Sequence, residues 1–117
     1  MKQDVEPVMK FLIAPKSTAN KMDKDHFFME KALQEAKLAY KKQEIPVGCV
    51  IVSNGEIIAS AHNLRESKQN VLCHAELIAI KQACEKLNSW RLDDCDIYIT
   101  LEPCLMCLGA IVQARFK

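Results

Sequence analysis

Two short motifs stand thirty positions apart in this 117-residue chain: His74-Ala75-Glu76 and Pro103-Cys104-Leu105-Met106-Cys107. Together they offer one imidazole, two thiols and one carboxylate that need not bind anything. Three protein ligands with a fourth position open to water is the arrangement of a catalytic zinc site, whereas a structural site closes with a fourth Cys or His. The expected metal is Zn²⁺, one per chain, held by His74, Cys104 and Cys107. If the motifs share one ion, the fold must bring two distant helix starts together, a stronger constraint than any local propensity.

Composition sets the outer bounds. The length suits one domain, and half the residues are hydrophobic, about a quarter charged, as in an ordinary soluble globular protein. No apolar run approaches the roughly 18 residues of a membrane span, so no membrane partner is expected. The N-terminus lacks an apolar stretch with a small-residue cleavage site, and Asp4, Glu6, Asp23 and Asp25 break the acid-poor pattern of a transit peptide. The expected location is cytoplasmic. A formal net charge of +1 is far from the basic bias of many nucleic-acid binders; it neither establishes nor excludes an RNA substrate. Six cysteines allow a disulfide framework, but their settings favour free thiols. Cys49 lies in an apolar strand and Cys84 in a helix, both readable as small buried hydrophobes. Cys73 adjoins His74 and offers a fourth ligand, yet adjacent side chains diverge on a helix.

Along the chain, residues 1–22 show no clear period and read as a poorly ordered extension, despite an apolar cluster at Val8, Met9, Phe11, Leu12 and Ile13. Residues 23–117 then form the folded domain. Asp23 or Asp25 is a candidate N-cap. From His26 to Gln43, Phe28, Met29, Ala32, Ala36, Ala39 and Tyr40 recur at helical spacing, with Glu30, Lys31, Glu35, Lys37 and Lys41 as a solvated face. Val47–Ser53 and Glu56–Ala61 read as strands around Asn54-Gly55, a strong hairpin signal. A polar loop covers Asn63–Asn70. A helix from about His74 to Leu87 carries an apolar stripe of Leu77, Ile78, Ile80, Ala83, Cys84 and Leu87 and ends at Asn88-Ser89. Ile97–Leu101 is a third strand, leading into Pro103 and a helix from Cys104 to Arg115. Pro at a helix start leaves no donor wanting. That last helix is apolar nearly all round, which fits a helix covered on both sides within one fold, or one lending part of its surface to a subunit interface. With three strands and no element after this helix, the C-terminal portion of a larger domain is expected to be missing. Phe116-Lys117 fits the beginning of a fourth strand.

The chemistry follows from the spacing. Cys104 and Cys107, three apart, share one side of a first helical turn, where the helix dipole favours thiolates. Two thiolates balance Zn²⁺, and neutral His74 adds no charge. Glu76, two residues from His74, can lean toward a zinc-activated water, take its proton and hand it to a leaving nitrogen. The implied reaction is hydrolytic deamination, with the amino group leaving as ammonia and a carbonyl taking its place. Taken alone, Cys104-Leu105-Met106-Cys107 also fits a C-x-x-C thiol oxidoreductase, but that chemistry gives no reason for His-Ala-Glu at the start of another helix. A non-enzymatic, zinc-stabilised partner subunit is a further reading; it has no need of Glu76.

The pairing of H-x-E with P-C-x-x-C is the signature of zinc nucleobase deaminases. With Glu44-Ile45-Pro46-Val47-Gly48, Ala61-His62-Asn63-Leu64-Arg65-Glu66 and Thr100-Leu101-Glu102 beside it, the chain resembles the cytidine/deoxycytidylate deaminase superfamily. Within it the chain is most similar to the bacterial-type tRNA-specific adenosine deaminases, from about residue 26 to the end. The resemblance implies a three-layer α/β/α sandwich around a central mixed sheet, here without its C-terminal strand and helices. It implies adenosine-to-inosine conversion at the tRNA wobble position, with Glu76 as proton shuttle, Asn63 hydrogen-bonding the flipped adenine and Val47 lining the pocket. It implies a tRNA anticodon loop as partner and a homodimer, or a mixed dimer with a sister subunit, built on the apolar helix after the cysteines. The alternative within the superfamily is a free-base or nucleotide deaminase acting on guanine, cytosine or deoxycytidylate.

Overall fold

The computed structural model describes residues 11–13 and 19–116. In chain order the elements are β1 (Phe11–Ile13), α1 (Ala19–Lys41), β2 (Gly48–Ser53), β3 (Glu56–His62), α2 (Arg65–Lys68), α3 (Ala75–Leu87), β4 (Cys95–Ile99) and α4 (Leu105–Ala114). The strands form one sheet in the order β1-β4-β2-β3. Every pairing among the described strands is antiparallel, so the mixed sheet expected from the resemblance is not realised within them.

Strand alternation sorts the side chains into two layers. On one face Cys49, Ile51, Ala59, Ala61, Cys95, Ile97 and Ile99 meet Ala75, Ala79 and Ala83 of α3 and Ile111 and Ala114 of α4. On the other, Val50, Val52 and Tyr98 meet Phe28, Met29 and Ala32 of α1. These layers are the expected α/β/α sandwich. The β2–β3 hairpin turns through Asn54 and Gly55, both at positive φ, the type I′ geometry that matches strand twist. The register shifts between Ile51 and Val52, whose partners are Ala59 and Ile57. Ile58 is the extra residue of this bulge, which lets Ile57 pack on the α1 face and Ile58 on the α3 face.

Both helical layers approach the sheet through small residues. On α1, Ala32, Ala36 and Ala39 are fully buried. Facing them, Gly48 has no room for a β-carbon, which would collide with the Ala32 carbonyl oxygen and the Ala36 amide nitrogen. On α3 the buried line is Ala75, Ala79 and Ala83, whereas Leu87 is exposed. The apolar stripe expected from the sequence is thus rotated toward the alanines, because close packing of helix on sheet favours the smallest side chains over the greasiest.

The structure departs from the sequence reading at several places. Phe11–Ile13, placed in the extension, pairs with Ile97–Ile99 as an edge strand, and α1 begins at Ala19 rather than His26. Asp23 and Asp25 therefore lie inside α1 and cap nothing; Asp25 instead accepts a 2.7 Å hydrogen bond from the Tyr98 hydroxyl. β4 is Cys95–Ile99, two residues earlier than expected, which frees Thr100 and Leu101 for the loop that reaches the site. Pro103 sits just before the Cys104 cap rather than inside the helix. Only one side of α4 is buried, at Cys107, Ile111 and Ala114. Leu105 and Val112, 86% and 64% exposed, lie on the other, so α4 is not sandwiched by the described residues. None of the described helices is long and apolar enough to cross a membrane.

Candidate functional site

The two motifs meet. His74 is the N-cap of α3 and Cys104 the N-cap of α4; both have extended backbone and neither side chain makes a capping hydrogen bond. Each side chain is thereby left for another partner. The Cys104 and Cys107 sulfurs lie 3.7 and 3.4 Å from His74 Nδ1, and the three donor atoms fall within 4.8 Å of one another. These separations test the fit of zinc. With Zn–N near 2.0 Å and Zn–S near 2.3 Å, a tetrahedral angle separates nitrogen from sulfur by about 3.5 Å. One soft nitrogen and two sulfurs at that spacing suit zinc in identity as well as distance. Cys73 is outside the cluster, and all six cysteines are free.

Glu76 lies in the first turn of α3, buried, and outside the donor cluster. Burial pushes its carboxyl above the usual carboxylate range, against the pull of an α3 amide, His74 and the Cys107 thiol. Burial also pushes the Cys107 thiol up, helped by the Glu76 charge and by Cys104. A thiol so placed gives up its proton to a cation, since metal binding and deprotonation are coupled.

Beside the cluster is a cavity of about 160 Å³, small against the roughly 300–1,000 Å³ of ordinary ligand pockets. His74, Glu76, Cys104, Asn63 and Val47 all line it. All the residues picked out in the sequence therefore gather here, with Cys107 buried directly behind. The sequence reading assigned no pocket role to Ile45, Arg65, Ala75, Leu101 and Glu102, which complete the lining. They sit within the quoted motifs, but nothing in their residue types announces a pocket. A larger cleft of about 610 Å³, near Arg91, Leu108 and Val112, contains none of the metal donors, so size does not locate the chemistry.

Asn63 owes its orientation to backbone. Its amide donates to the Val47 carbonyl at 3.2 Å, and its Oδ1 accepts from the Arg65 amide at 3.1 Å. The Nδ2 group then faces Ile45, whose carbonyl is a long 3.5 Å away. Behind Asn63, His62 is held between Glu35 at 2.7 Å and Lys42 at 3.0 Å; Glu35, read as part of a solvated face, is a partner of the sheet.

A family model for the cytidine and deoxycytidylate deaminase zinc-binding region matches residues 22–117. The chain belongs to this zinc-binding deaminase family. It is 52% identical over 96 residues to the tRNA-specific adenosine deaminase of Bacillus subtilis strain 168, covering 82% of this chain and 60% of the relative. Among solved structures, one from a study of A-to-I editing by tRNA:A34 deaminases is 44% identical with a TM-score of 0.76, over 79% of this chain and 67% of that one. A guanine deaminase from Bacillus subtilis is 39% identical with a TM-score of 0.74, over 78% of this chain and 61% of that one. The chain thus spans about 60% of the length of the curated relative.

Proposed function

We propose that this chain is a zinc-dependent hydrolase that converts adenosine to inosine at the wobble position of tRNA. The observation that carries the reading is that His74, Glu76, Cys104, Asn63 and Val47 line a single cavity. Three ligands beside a carboxylate that is not a ligand is the arrangement hydrolytic chemistry needs. Similarity to the Bacillus subtilis enzyme and to the tRNA:A34 deaminase favours a wobble adenosine among amino-bearing bases.

His74, Cys104 and Cys107 would hold one zinc ion per chain. When bound, zinc supplies a water acidic enough to act as a nucleophile near neutral pH. Glu76 accepts the proton released by that water and returns it to the departing nitrogen. The bond from the ring carbon to the exocyclic amino nitrogen breaks, a C–O bond forms at the same carbon, and adenosine plus water becomes inosine plus ammonia. Asn63 Nδ2 donates to a ring nitrogen of the purine, and Val47 packs against its face. A pocket this small takes a base rather than a helix, so the target must leave its stack; an anticodon loop offers unpaired bases. The reading places the chain in the cytoplasm with its tRNA substrate. The exposed side of α4 supports self-association as a homodimer.

The test is ammonia release and inosine formation on a tRNA carrying a wobble adenosine, run beside free guanine, cytosine and deoxycytidylate. Activity on the tRNA, abolished in Glu76→Ala with zinc retained, is the expected result. Guanine is the second reading, favoured by the 39% identical guanine deaminase. Turnover of a free base alone would replace the tRNA assignment.

A further inference from the structure

Glu44 is a buried carboxylate that is neither a metal donor nor part of the cavity lining. It follows α1 and immediately precedes Ile45. Its Oε1 accepts from the Glu66 amide at 3.1 Å, and its Oε2 from the Ser67 amide at 2.6 Å and the Ser67 hydroxyl at 2.5 Å. Buried charge is tolerated when hydrogen bonds replace its water, and bonds to an ionised acceptor are the strong ones. The Ser67 hydroxyl is the main influence holding this carboxyl below the usual range, while Arg65 contributes least.

The position of this carboxylate gives it leverage on the pocket. One part of the lining, Ile45 and Val47, is continuous with Glu44 in the chain. A second part of the lining, Asn63 and Arg65, runs directly into the turn that Glu44 holds. The Arg65 amide in turn fixes Asn63 by donating to its Oδ1. That bond decides which end of the carboxamide is offered to a ligand, since the oxygen is engaged and the Nδ2 contact to Ile45 is long. We propose that Glu44 is a positioning residue: its carboxylate braces the 65–67 turn against the 44–47 segment and so sets the spacing of these two parts of the pocket lining and the donor face of Asn63. The inference rests on the deaminase reading for its substrate, but not for the brace itself.

The experiment compares this chain with Glu44→Gln and Ser67→Ala, each checked for zinc content. Amide hydrogen exchange is measured over residues 64–70, and steady-state kinetics on a tRNA with a wobble adenosine. Loss of a hydrogen bond to a charged group implies exchange of the Glu66 and Ser67 amides faster by about tenfold or more. Zinc should be unchanged. KM should rise about tenfold with kcat within about twofold, because the substrate is gripped less well while the reacting groups remain. Ser67→Ala should move the same quantities in the same direction by less, and it carries the test if Glu44→Gln does not fold. Unchanged exchange, or a fall in kcat at constant KM, would overturn the proposal, the latter marking a merely structural role. A wild-type chain inactive on tRNA would count against the function reading alone. The exchange rates then decide the brace: acceleration confined to 64–70 upholds it, and unchanged rates refute it.

Discussion

His74 and Cys104 hold the same local position, the residue just before a helix, and neither spends its side chain on capping. The unpaired amides of a helix start favour nearby negative charge, so a thiolate at Cys104 would be stabilised there. Because the donors come from two helices, losing any one should empty the site rather than weaken it. Purified His74→Ala is expected to contain no zinc, against about one per chain in the parent, by elemental analysis. Retention of full zinc would mean that the two motifs do not share an ion. Cys49, fully buried behind Glu76 and Cys107, acts as the small hydrophobe its strand suggested.

At the scale of elements, two joints position the site. The first is the contact of α1 with β2 at Gly48. Its amide donates to the Thr100 hydroxyl at 3.0 Å, and its carbonyl accepts from the Thr100 amide at 3.1 Å, so the same glycine ties the helix layer to the loop that carries Cys104. Gly48→Ala should destabilise by about 1–3 kcal/mol, the usual penalty of overpacking; urea unfolding measures it, and a stability equal to the parent would refute the close approach. The second joint is Glu44 on the 65–67 turn. Its carboxyl is held below its ordinary range in the folded chain, so the folded state binds a proton less readily than the unfolded one. Its stabilising contribution is therefore complete above the unfolded pKa and is lost as pH falls through the folded value. Below about pH 4.5, the ordinary value for a glutamate, the urea midpoint of the parent should fall more steeply than that of Glu44→Gln. Parallel pH profiles would show that the carboxylate contributes nothing.

For the whole molecule, α4 decides the behaviour in solution. Its inner side is core and its outer side exposes Leu105 and Val112 beside partly exposed Met106 and Leu108. A contiguous apolar face of this kind seeks a partner, and the proposed partner is a second copy. Sedimentation should show a concentration-dependent rise to twice the chain mass, reversed by Val112→Glu. A single-chain mass at all concentrations would sink the homodimer, while a stable mass only with another subunit would point to the mixed dimer.

Much of this was legible in the sequence because it is local. The H-x-E and C-x-x-C spacings, the Asn54-Gly55 turn and the 3.6-residue recurrence of Phe28, Ala32, Ala36 and Ala39 act within a few residues, where propensity and sterics suffice. The motifs also announced which atoms could bind zinc, since ligand chemistry belongs to residue type. The meeting of Ile45 and Arg65 in one pocket, the pairing of Glu35 with His62 and the hold of Glu44 on Ser67 were not legible. Each joins residues some twenty or more positions apart, and such pairings depend on how the layers pack. Phe11–Ile13 shows the same limit, because three residues carry too little pattern to declare a strand until β4 offers an edge to pair with. The sequence by itself determined the candidate donor set and the elements that present it. Only the tertiary structure decided that two helix starts converge on one cavity, because convergence depends on how closely the alanines of α1 and α3 and the glycine of β2 let the layers approach.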